Sequence, residues 1–301
     1  MTGLVCPGAF MEGVADAMAQ RTFLRPGNSD VPPRWPSSGR LPRLVLFIVS
    51  QIVLLLVMFQ LYKMVRKTFI TRAEQVAFGH AKDVLHFEAW LHLDFELRLQ
   101  QWILDRPEWV IHVFNNFYAY YMYIFYACMV VAMFFAVERW RYLRRWFYIS
   151  MAIATPWYLI YPLAPPRFME PYGWPFMDTL AVYGPNYFSE NGLVTANRYA
   201  AMPSMHVGWT TLAAITLAVC LPWRRVGYAI AAFLIVFIVL TVIITGNHYW
   251  VDAVAGWLVI AAAAIVNRIL PYPQPIRWPW ERARSAAITP NHAAEGSSAG
   301  T

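Results

Sequence analysis

Three short segments place reactive or phosphate-binding side chains in an otherwise apolar sequence. They are YPLAPPRFM (161–169), PSMH (203–206) and TGNHYWVDAVAG (245–256). The side chains in them that suit catalysis are Arg167, His206, His248 and Asp252. A charged side chain within a membrane-type segment costs about 2.5–3.5 kcal/mol at mid-helix on insertion scales, and less near the interface. Their joint presence therefore calls for a functional explanation.

The types and spacing of these residues favour phosphoryl transfer. His248 and Asp252 are four positions apart on a predicted helix and so share one face. A carboxylate beside an imidazole fixes its tautomer and stabilises its cation, which prepares the ring for nucleophilic or acid–base work. With His206 as a second imidazole, one ring can attack while the other supplies a proton to the leaving group, and Arg167 can bind phosphate oxygens bidentately. This set predicts a phosphohistidine mechanism that uses neither a metal nor a cofactor.

Other interpretations of the same residues stay open. A single histidine at a helix end is most often an interfacial polar residue, Arg167 could anchor a helix at the membrane, and Asp252 could be a helix N-terminal charge. Together, His248 and Asp252 could form a proton or ion relay in a transporter, although no inverted repeat is visible. A membrane protein without catalytic activity is the third alternative.

The elements that must position these residues are membrane helices. The chain has 301 residues, of which 59% are hydrophobic and 14% charged, which is typical of an integral membrane protein. A membrane helix needs about 20 mostly apolar residues, and six segments approach this length: 44–62, 117–137, 146–163, 205–222, 226–246 and 249–270. We therefore predict an all-α, polytopic protein with six transmembrane helices.

A different pattern fills the interval between the first two predicted helices. In AEQVAFGHAKDVLHFEAWLHLDFELRLQQWILDRPEW, apolar residues recur at three- and four-residue intervals among charged ones. This predicts one or two amphipathic helices at the membrane interface, the second ending at Pro107. Because His80, His86 and His92 recur every six residues, they scatter around a helix. A solvated surface is expected there rather than a metal site.

Arginine-rich stretches predict the orientation of the helices. ERWRYLRR (138–145), WRR (223–225) and both polar ends are expected on the cytoplasmic side, although KMVRK (63–67) conflicts with this assignment. The ends of helices three and five and the starts of helices four and six then meet at the outer face. We therefore expect a multi-pass protein of the cell membrane with its active site facing outward.

The remaining composition defines the domain and limits the partners. Segments 1–43 and 271–301 are predicted to be disordered cytoplasmic tails, leaving 44–270 as the membrane-embedded domain. The net charge is +7, but the basic residues flank apolar segments, so nucleic acid is not an expected partner. Three widely spaced cysteines support neither a disulfide framework nor a metal site.

These motifs, taken in order, resemble those of the type 2 phosphatidic acid phosphatase superfamily. The segments YPLAPPRFM, AAMPSMHVGW and GNHYWVDAVAG carry the resemblance, and HFEAWLHLDFE upstream is similar to the inositol phosphorylceramide synthase-like inositolphosphotransferase branch. The resemblance implies a lipid phosphate or pyrophosphate substrate. It also implies His248 as nucleophile, Asp252 as its orienting partner, His206 as general acid, and Arg167 and Ser204 as phosphate-binding residues.

Two positions depart from the superfamily pattern. Where the superfamily has a lysine shortly before the first-motif arginine, this chain has Ile160 and Tyr161. Where a Ser-Arg pair usually precedes the nucleophilic histidine, it has Thr241 and Val242. The phosphate pocket is therefore expected to be less basic, and Arg198 is a candidate for part of the missing charge.

Overall fold

All regular structure in the described part of the chain is helical, as the sequence predicts. The computed structural model describes residues 41–68, 74–135, 137–185, 198–221 and 223–271. The α-helices in these ranges are α1 (Leu41–Thr68), α2 (Glu74–Trp90), α3 (Glu96–Leu104), α4 (Glu108–Phe135), α5 (Val137–Ile160), α6 (Thr179–Tyr183), α7 (Met205–Cys220), α8 (Arg224–Ile244) and α9 (Trp250–Ile269). Most of the two predicted tails, 1–40 and 272–301, lies outside the described residues.

Two of the described helices are long and apolar enough to cross a membrane, judged by length and composition. They are Arg225–Ile244 in α8 and Trp250–Ile269 in α9. Two apolar stretches are shorter, Val49–Leu61 in α1 and Met205–Ala218 in α7. A helix occupies each of the six predicted segments, but the six-span topology remains a prediction.

The stretch ERWRYLRR, predicted as a cytoplasmic loop, instead belongs to α5. Arginine, leucine and glutamate are good helix formers, so the helix extends beyond its apolar part. Arg144 donates a hydrogen bond to the Gln51 side chain of α1, and Arg145 donates to Asn267 of α9. These arginines therefore tie three helices together at one end of the bundle.

Helix α7 is central to the packing and contacts α4, α5, α8 and α9. It approaches α9 closely where Gly256 lies against the backbone of Ser204. A Cβ atom on Gly256 would stand 2.3 Å from the Ser204 carbonyl oxygen. The Ser204 N–H also donates to the Asp252 carbonyl at 3.0 Å. The N-terminal ends of α7 and α9 are thus held side by side.

The connection between α5 and α6 packs beneath α2. One apolar cluster joins α2 to this connection. Its buried members include Ala77, Ala81, Val84 and Leu85 of α2 and Leu163, Ala164, Met169 and Phe176 of the connection. The Leu163 N–H donates to the Tyr199 carbonyl at 2.8 Å, and the Ala201 N–H donates to the Leu163 carbonyl at 3.2 Å. These contacts bring the segment that carries Arg167 beside the segment that leads into α7.

The amphipathic interval forms two helices, α2 and α3, and α3 ends at Leu104, before Pro107. The prediction of a solvated surface is wrong for His80. Its ring stacks on Tyr161 with centroids 4.0 Å apart, and its Nδ1 is 2.8 Å from the Pro162 carbonyl. The backbone contact of α2 with the 161–169 segment brings this histidine inward. His86 and His92 are exposed.

We expect Gly256→Ala to destabilise the protein, because the added methyl meets a backbone carbonyl that no rotamer change can avoid. Overpacking costs about 1–3 kcal/mol, so the apparent Tm of the purified protein should fall. The matched control is Gly79→Ala on α2, where a Cβ meets nothing within 4 Å. That change should stabilise the protein by up to about 1 kcal/mol through helix propensity. An unchanged Tm for Gly256→Ala would contradict the close approach of α7 and α9.

Candidate active site

Two imidazoles face each other where α7 and α9 begin. His206 lies in the first turn of α7, and His248 lies in the turn between α8 and α9. The distance from His248 Nε2 to His206 Nδ1 is 3.3 Å. His248 is buried, with 4% of its surface exposed, whereas His206 is half-buried. The two histidines identified in distant parts of the sequence are therefore direct neighbours.

The other ring nitrogen of His248 is held by two acceptors. Nδ1 lies 2.7 Å from the Ala201 carbonyl oxygen and 3.4 Å from Asp252 Oδ2. A carbonyl oxygen can only accept a hydrogen bond, so Nδ1 must carry the proton. In the neutral ring, the Nε2 lone pair is then available and points towards His206. This is the tautomer that a nucleophile attacking through Nε2 requires.

The prediction that His248 and Asp252 lie on one face of the same helix is wrong, because only Asp252 belongs to the helix. His248 precedes α9, which begins at Trp250, because the Gly246–Asn247 turn interrupts the helix. Asp252 lies in the first turn of α9, and its Oδ2 accepts the Tyr249 N–H at 3.0 Å. The carboxylate therefore folds back over the helix N-terminus and reaches the ring from there.

Two tyrosines that sequence reasoning missed hold the His206 ring. Tyr118 stacks on it with centroids 4.1 Å apart and an interplanar angle of 17°. Tyr121 lies at the same centroid distance with an angle of 42°. Because the tyrosines are three positions apart on α4, they present to one face. In a chain with 17% aromatic residues, that spacing alone did not distinguish them from core residues.

Arg167 lies in a short 3₁₀ turn, Pro166–Phe168, next to the turn that carries His248. Its backbone N–H donates to the Gly246 carbonyl at 2.9 Å. Gly246 has a φ of +66°, which favours glycine. Arg167 Nε lies 3.3 Å from Asp178 Oδ2. Burial lowers the pKa of the Arg167 guanidinium, and nearby Asp178 opposes this effect, so the side chain keeps its charge.

Two buried amide side chains, Gln100 and Asn115, fix the position of Asp178. Sequence reasoning missed both of them. Gln100 of α3 donates to the carbonyls of Met177 at 3.1 Å and Ile244 at 3.0 Å, and its oxygen accepts the Met177 N–H at 2.8 Å. The Asn115 side chain of α4 donates a hydrogen bond from Nδ2 to the Thr179 carbonyl. Its Oδ1 accepts a hydrogen bond from the Thr179 hydroxyl, and both distances are 2.8 Å. The segment on both sides of Asp178 is thus fixed, and through Asp178 so is Arg167.

The other two predicted phosphate-binding residues occupy different environments. Ser204 is fully buried at the N-cap of α7, and its hydroxyl has no hydrogen-bond partner among the described residues. A helix N-terminus with such a hydroxyl suits an anion. Arg198 is exposed, and its positive charge contributes to the lowered pKa of Arg167. Arg198 is therefore near enough to add positive charge to the same region.

The positions that depart from the superfamily pattern contribute no cation. The Thr241 hydroxyl donates to the Phe237 carbonyl of its own helix at 2.7 Å, and Val242 is buried in an apolar cluster. Ile160 is exposed, and Tyr161 stacks on His80. Positive charge at this site therefore comes from Arg167, with Arg198 nearby.

Comparison with protein families identifies the family to which the chain belongs. The model of the PAP2 superfamily matches residues 82–266, a range that includes Arg167, both histidines and Asp252. The chain belongs to the PAP2 superfamily. Members of this superfamily are generally phosphatases, which supports an enzyme acting on a phosphate-bearing lipid. Searches of curated proteins and of solved structures found no match.

The geometry predicts the tautomer of His248. Since the Ala201 carbonyl is the nearer acceptor, ¹⁵N NMR of histidine-labelled protein at alkaline pH should show a protonated Nδ1 and an unprotonated Nε2 for His248. Asp252→Asn should leave this tautomer unchanged, because the backbone acceptor remains. A proton on Nε2 in the unsubstituted protein would contradict the arrangement. His248→Ala identifies the resonance by its loss.

Proposed function

We propose that this protein is an integral membrane lipid phosphatase or phosphotransferase that works through a phosphohistidine on His248. The observation that carries the proposal is the orientation of the His248 ring. Its Nδ1 contacts the Ala201 carbonyl and Asp252, while its Nε2 faces His206. One nitrogen is thus anchored and the other is directed at a second titratable ring, which suits nucleophilic attack with general acid assistance.

In the first half-reaction, Nε2 of neutral His248 attacks the phosphorus of the lipid phosphate. A P–N bond forms, the bond from phosphorus to the leaving oxygen breaks, and protonated His206 gives its proton to that oxygen. The attack leaves the His248 ring cationic, and Asp252 at 3.4 Å from Nδ1 stabilises this charge. Arg167 and the Ser204 hydroxyl bind the phosphoryl oxygens, where charge develops in the transition state.

In the second half-reaction, neutral His206 removes the proton from an acceptor hydroxyl. The acceptor oxygen attacks phosphorus, the P–N bond breaks, and His248 returns to its neutral form. Water as acceptor gives a phosphatase, and an alcohol gives a phosphotransferase. The similarity of HFEAWLHLDFE to the inositolphosphotransferase branch makes inositol phosphate a candidate for the transferred group.

A membrane location suits the outer surface of the described helices. Large apolar side chains are exposed on α8 and α9, among them Phe233, Val236 and Leu258 at 61%, 60% and 65%. Trp90, Trp102 and Trp109 are exposed near the ends of α2, α3 and α4, and exposed tryptophans are typical of the membrane–water interface. In the proposed six-span topology, the site lies at the outer face, where lipid phosphate groups are present.

Substitutions of the two histidines should have different effects on phosphoenzyme formation from a labelled phospholipid donor, measured with EDTA present to remove divalent metal ions. His248→Ala should form no phosphoenzyme with any donor, because the attacking atom is absent. His206→Ala should lose about 10²–10⁴-fold in rate, and less with a donor whose leaving group needs no proton. The assay is acid-labile, base-stable labelling of the protein together with release of the leaving group.

The control for these variants is His112→Ala, which removes a half-exposed histidine paired with Glu108 and should label normally. Labelling of His248→Ala but not of His206→Ala would reverse the assigned roles. Normal turnover in both variants would exclude the phosphohistidine mechanism. It would leave the proton relay, which requires no phosphoenzyme, as the alternative.

Activity should depend on pH in a bell-shaped manner. Attack needs a neutral His248 and departure of the leaving group needs a protonated His206, so turnover falls when either ring changes its state. The measurement is kcat/KM across the range in which imidazoles titrate. With a donor whose leaving group needs no proton, the alkaline fall should disappear while the acid fall remains. A flat profile with both donors would contradict the pair.

A further inference from the structure

Two tyrosine rings of α4 lie against the His206 imidazole, and the proposed mechanism gives them no role. Tyr118 and Tyr121 are 5% and 7% exposed, and each ring centroid lies 4.1 Å from that of His206. The two tyrosines are three positions apart on α4 and so reach the same partner. Their approach to the proposed general acid therefore needs an explanation.

The Tyr118 ring presents its face to the imidazole. The two ring planes differ by only 17°. Because carbon atoms in contact stand about 3.5–4.0 Å apart, a centroid distance of 4.1 Å limits the lateral offset of the rings to about 2 Å. The imidazole therefore overlaps the face of the phenol ring, which carries the negative side of its quadrupole. Tyr121 is tilted by 42° and presents its face less fully.

Core packing holds the Tyr118 ring in this position. Tyr118 belongs to an apolar cluster whose other buried members are Leu180, Val207, Ile238, Val242, Ile243 and Ala253. Val207 follows His206 in α7, and Val242 and Ile243 lie at the end of α8, shortly before the turn that carries His248. The elements that carry the two histidines therefore also fix the tyrosine.

The proposed chemistry places a cation where this ring face lies. His206 must be protonated when the leaving group departs. It lies in the first turn of α7, where the helix dipole disfavours a positive charge. A cation over an aromatic face and within about 6 Å of the ring centroid is attracted by the quadrupole, and more strongly where water is excluded. The Tyr118 face therefore opposes the effect of the helix end on the His206 cation.

We infer that Tyr118 is a positioning residue for the proposed general acid, and that its ring face stabilises the protonated form of His206 through a cation–π interaction. Tyr121 supports the same imidazole from a tilted position. The aromatic ring of Tyr118 carries this role, and its hydroxyl does not. The inference rests on the proposed function for its catalytic consequence, whereas the effect on the charge of His206 can be measured without turnover.

The charged and titratable groups around the stacked rings come from several parts of the chain. They are Tyr121 of α4, Tyr158 of α5, Arg167, His248 and Asp252. Tyr158 donates to the Pro203 carbonyl at 2.9 Å, and α8 faces Tyr118 with apolar side chains. A substitution at position 118 leaves all of these groups in the chain. Variants at this position therefore differ in the surface that His206 meets.

Titration by ¹⁵N NMR of histidine-labelled protein tests the charge stabilisation directly, with His206→Ala to identify the resonance. Phenylalanine and leucine are both apolar, but only phenylalanine keeps the aromatic face. The titration midpoint of His206 should lie about one pH unit lower in Tyr118→Leu than in Tyr118→Phe, as expected for a buried cation–π contact. Tyr118→Phe should titrate close to the unsubstituted protein. Tyr121→Leu should give a smaller shift, and Tyr123→Leu, at an exposed position of α4, should give none.

Equal midpoints in the leucine and phenylalanine variants would overturn the inference. If both are unshifted, the ring face has no effect, and if both are shifted, the effect belongs to the hydroxyl. A larger shift in Tyr121→Leu than in Tyr118→Leu would overturn the assignment to Tyr118. Where Tyr118→Leu lowers the Tm too far for titration, Tyr118→Met takes its place, because an unbranched side chain fills irregular space. It should show the same shift.

Kinetics then connect the charge of His206 to catalysis. In Tyr118→Leu, the alkaline fall of kcat/KM should move to lower pH by the same amount, because it follows deprotonation of His206. The acid fall, which follows protonation of His248, should stay in place. With a donor whose leaving group needs no proton, the difference in rate between the leucine and phenylalanine variants should become smaller. Movement of both falls together, or of neither, would overturn the positioning role.

The two proposals can fail separately. If the unsubstituted protein forms no phosphoenzyme while the NMR shift holds, the proposed function is wrong and the cation–π contact stands. If the phosphoenzyme forms and the NMR midpoints of the two variants are equal, the proposed function stands and the role of Tyr118 is wrong.

Discussion

The candidate site depends on the backbone contact between the N-terminal ends of α7 and α9. The Ser204 N–H bonds the Asp252 carbonyl at 3.0 Å, and the Ser204 carbonyl occupies the space that a side chain at position 256 would need. Two helices can approach this closely only where one of them carries glycine. The contact sets His206, two residues after Ser204, against His248, which precedes the same turn of α9. Together with the contact of His248 Nδ1 with the Ala201 carbonyl, it fixes the two rings relative to each other.

Around this contact, each charged side chain in the low-dielectric site has a compensating partner. Arg167 lies against Asp178, Asp252 against His248, and Glu96 against the N-terminus of α9. Buried charges are stable only when they are paired or hydrogen-bonded. The buried Ser204 hydroxyl differs from these groups, because it has no hydrogen-bond partner in the described part of the chain. An anion bound there would satisfy that hydroxyl.

The sequence was informative wherever polar residues interrupt an apolar pattern. Arg167, His206, His248 and Asp252 were all selected as candidates in this way, because ionisable side chains in an apolar segment are unexpected. Glu88 of α2 and Glu96 of α3, which are both buried, were missed for the converse reason: they occur among other charged residues, where a buried acid has the same pattern as a solvated one. The position of His248 outside α9 was predictable in principle from the turn residues Gly246 and Asn247.

The His248 and His206 rings are held by different kinds of contact, so they differ in how far they can move during the proposed reaction. His248 is fixed at one atom, Nδ1, by a backbone carbonyl and a carboxylate, so its Nε2 has a defined direction. His206 lies between tyrosine rings, and aromatic stacking tolerates sliding within the plane better than a hydrogen bond tolerates a change of angle. A phosphoryl group that enters at the 3.3 Å contact must separate the rings, and His206, the more exposed of the two, is the one that can yield. The nucleophile would then keep its direction while the proton donor follows the leaving oxygen.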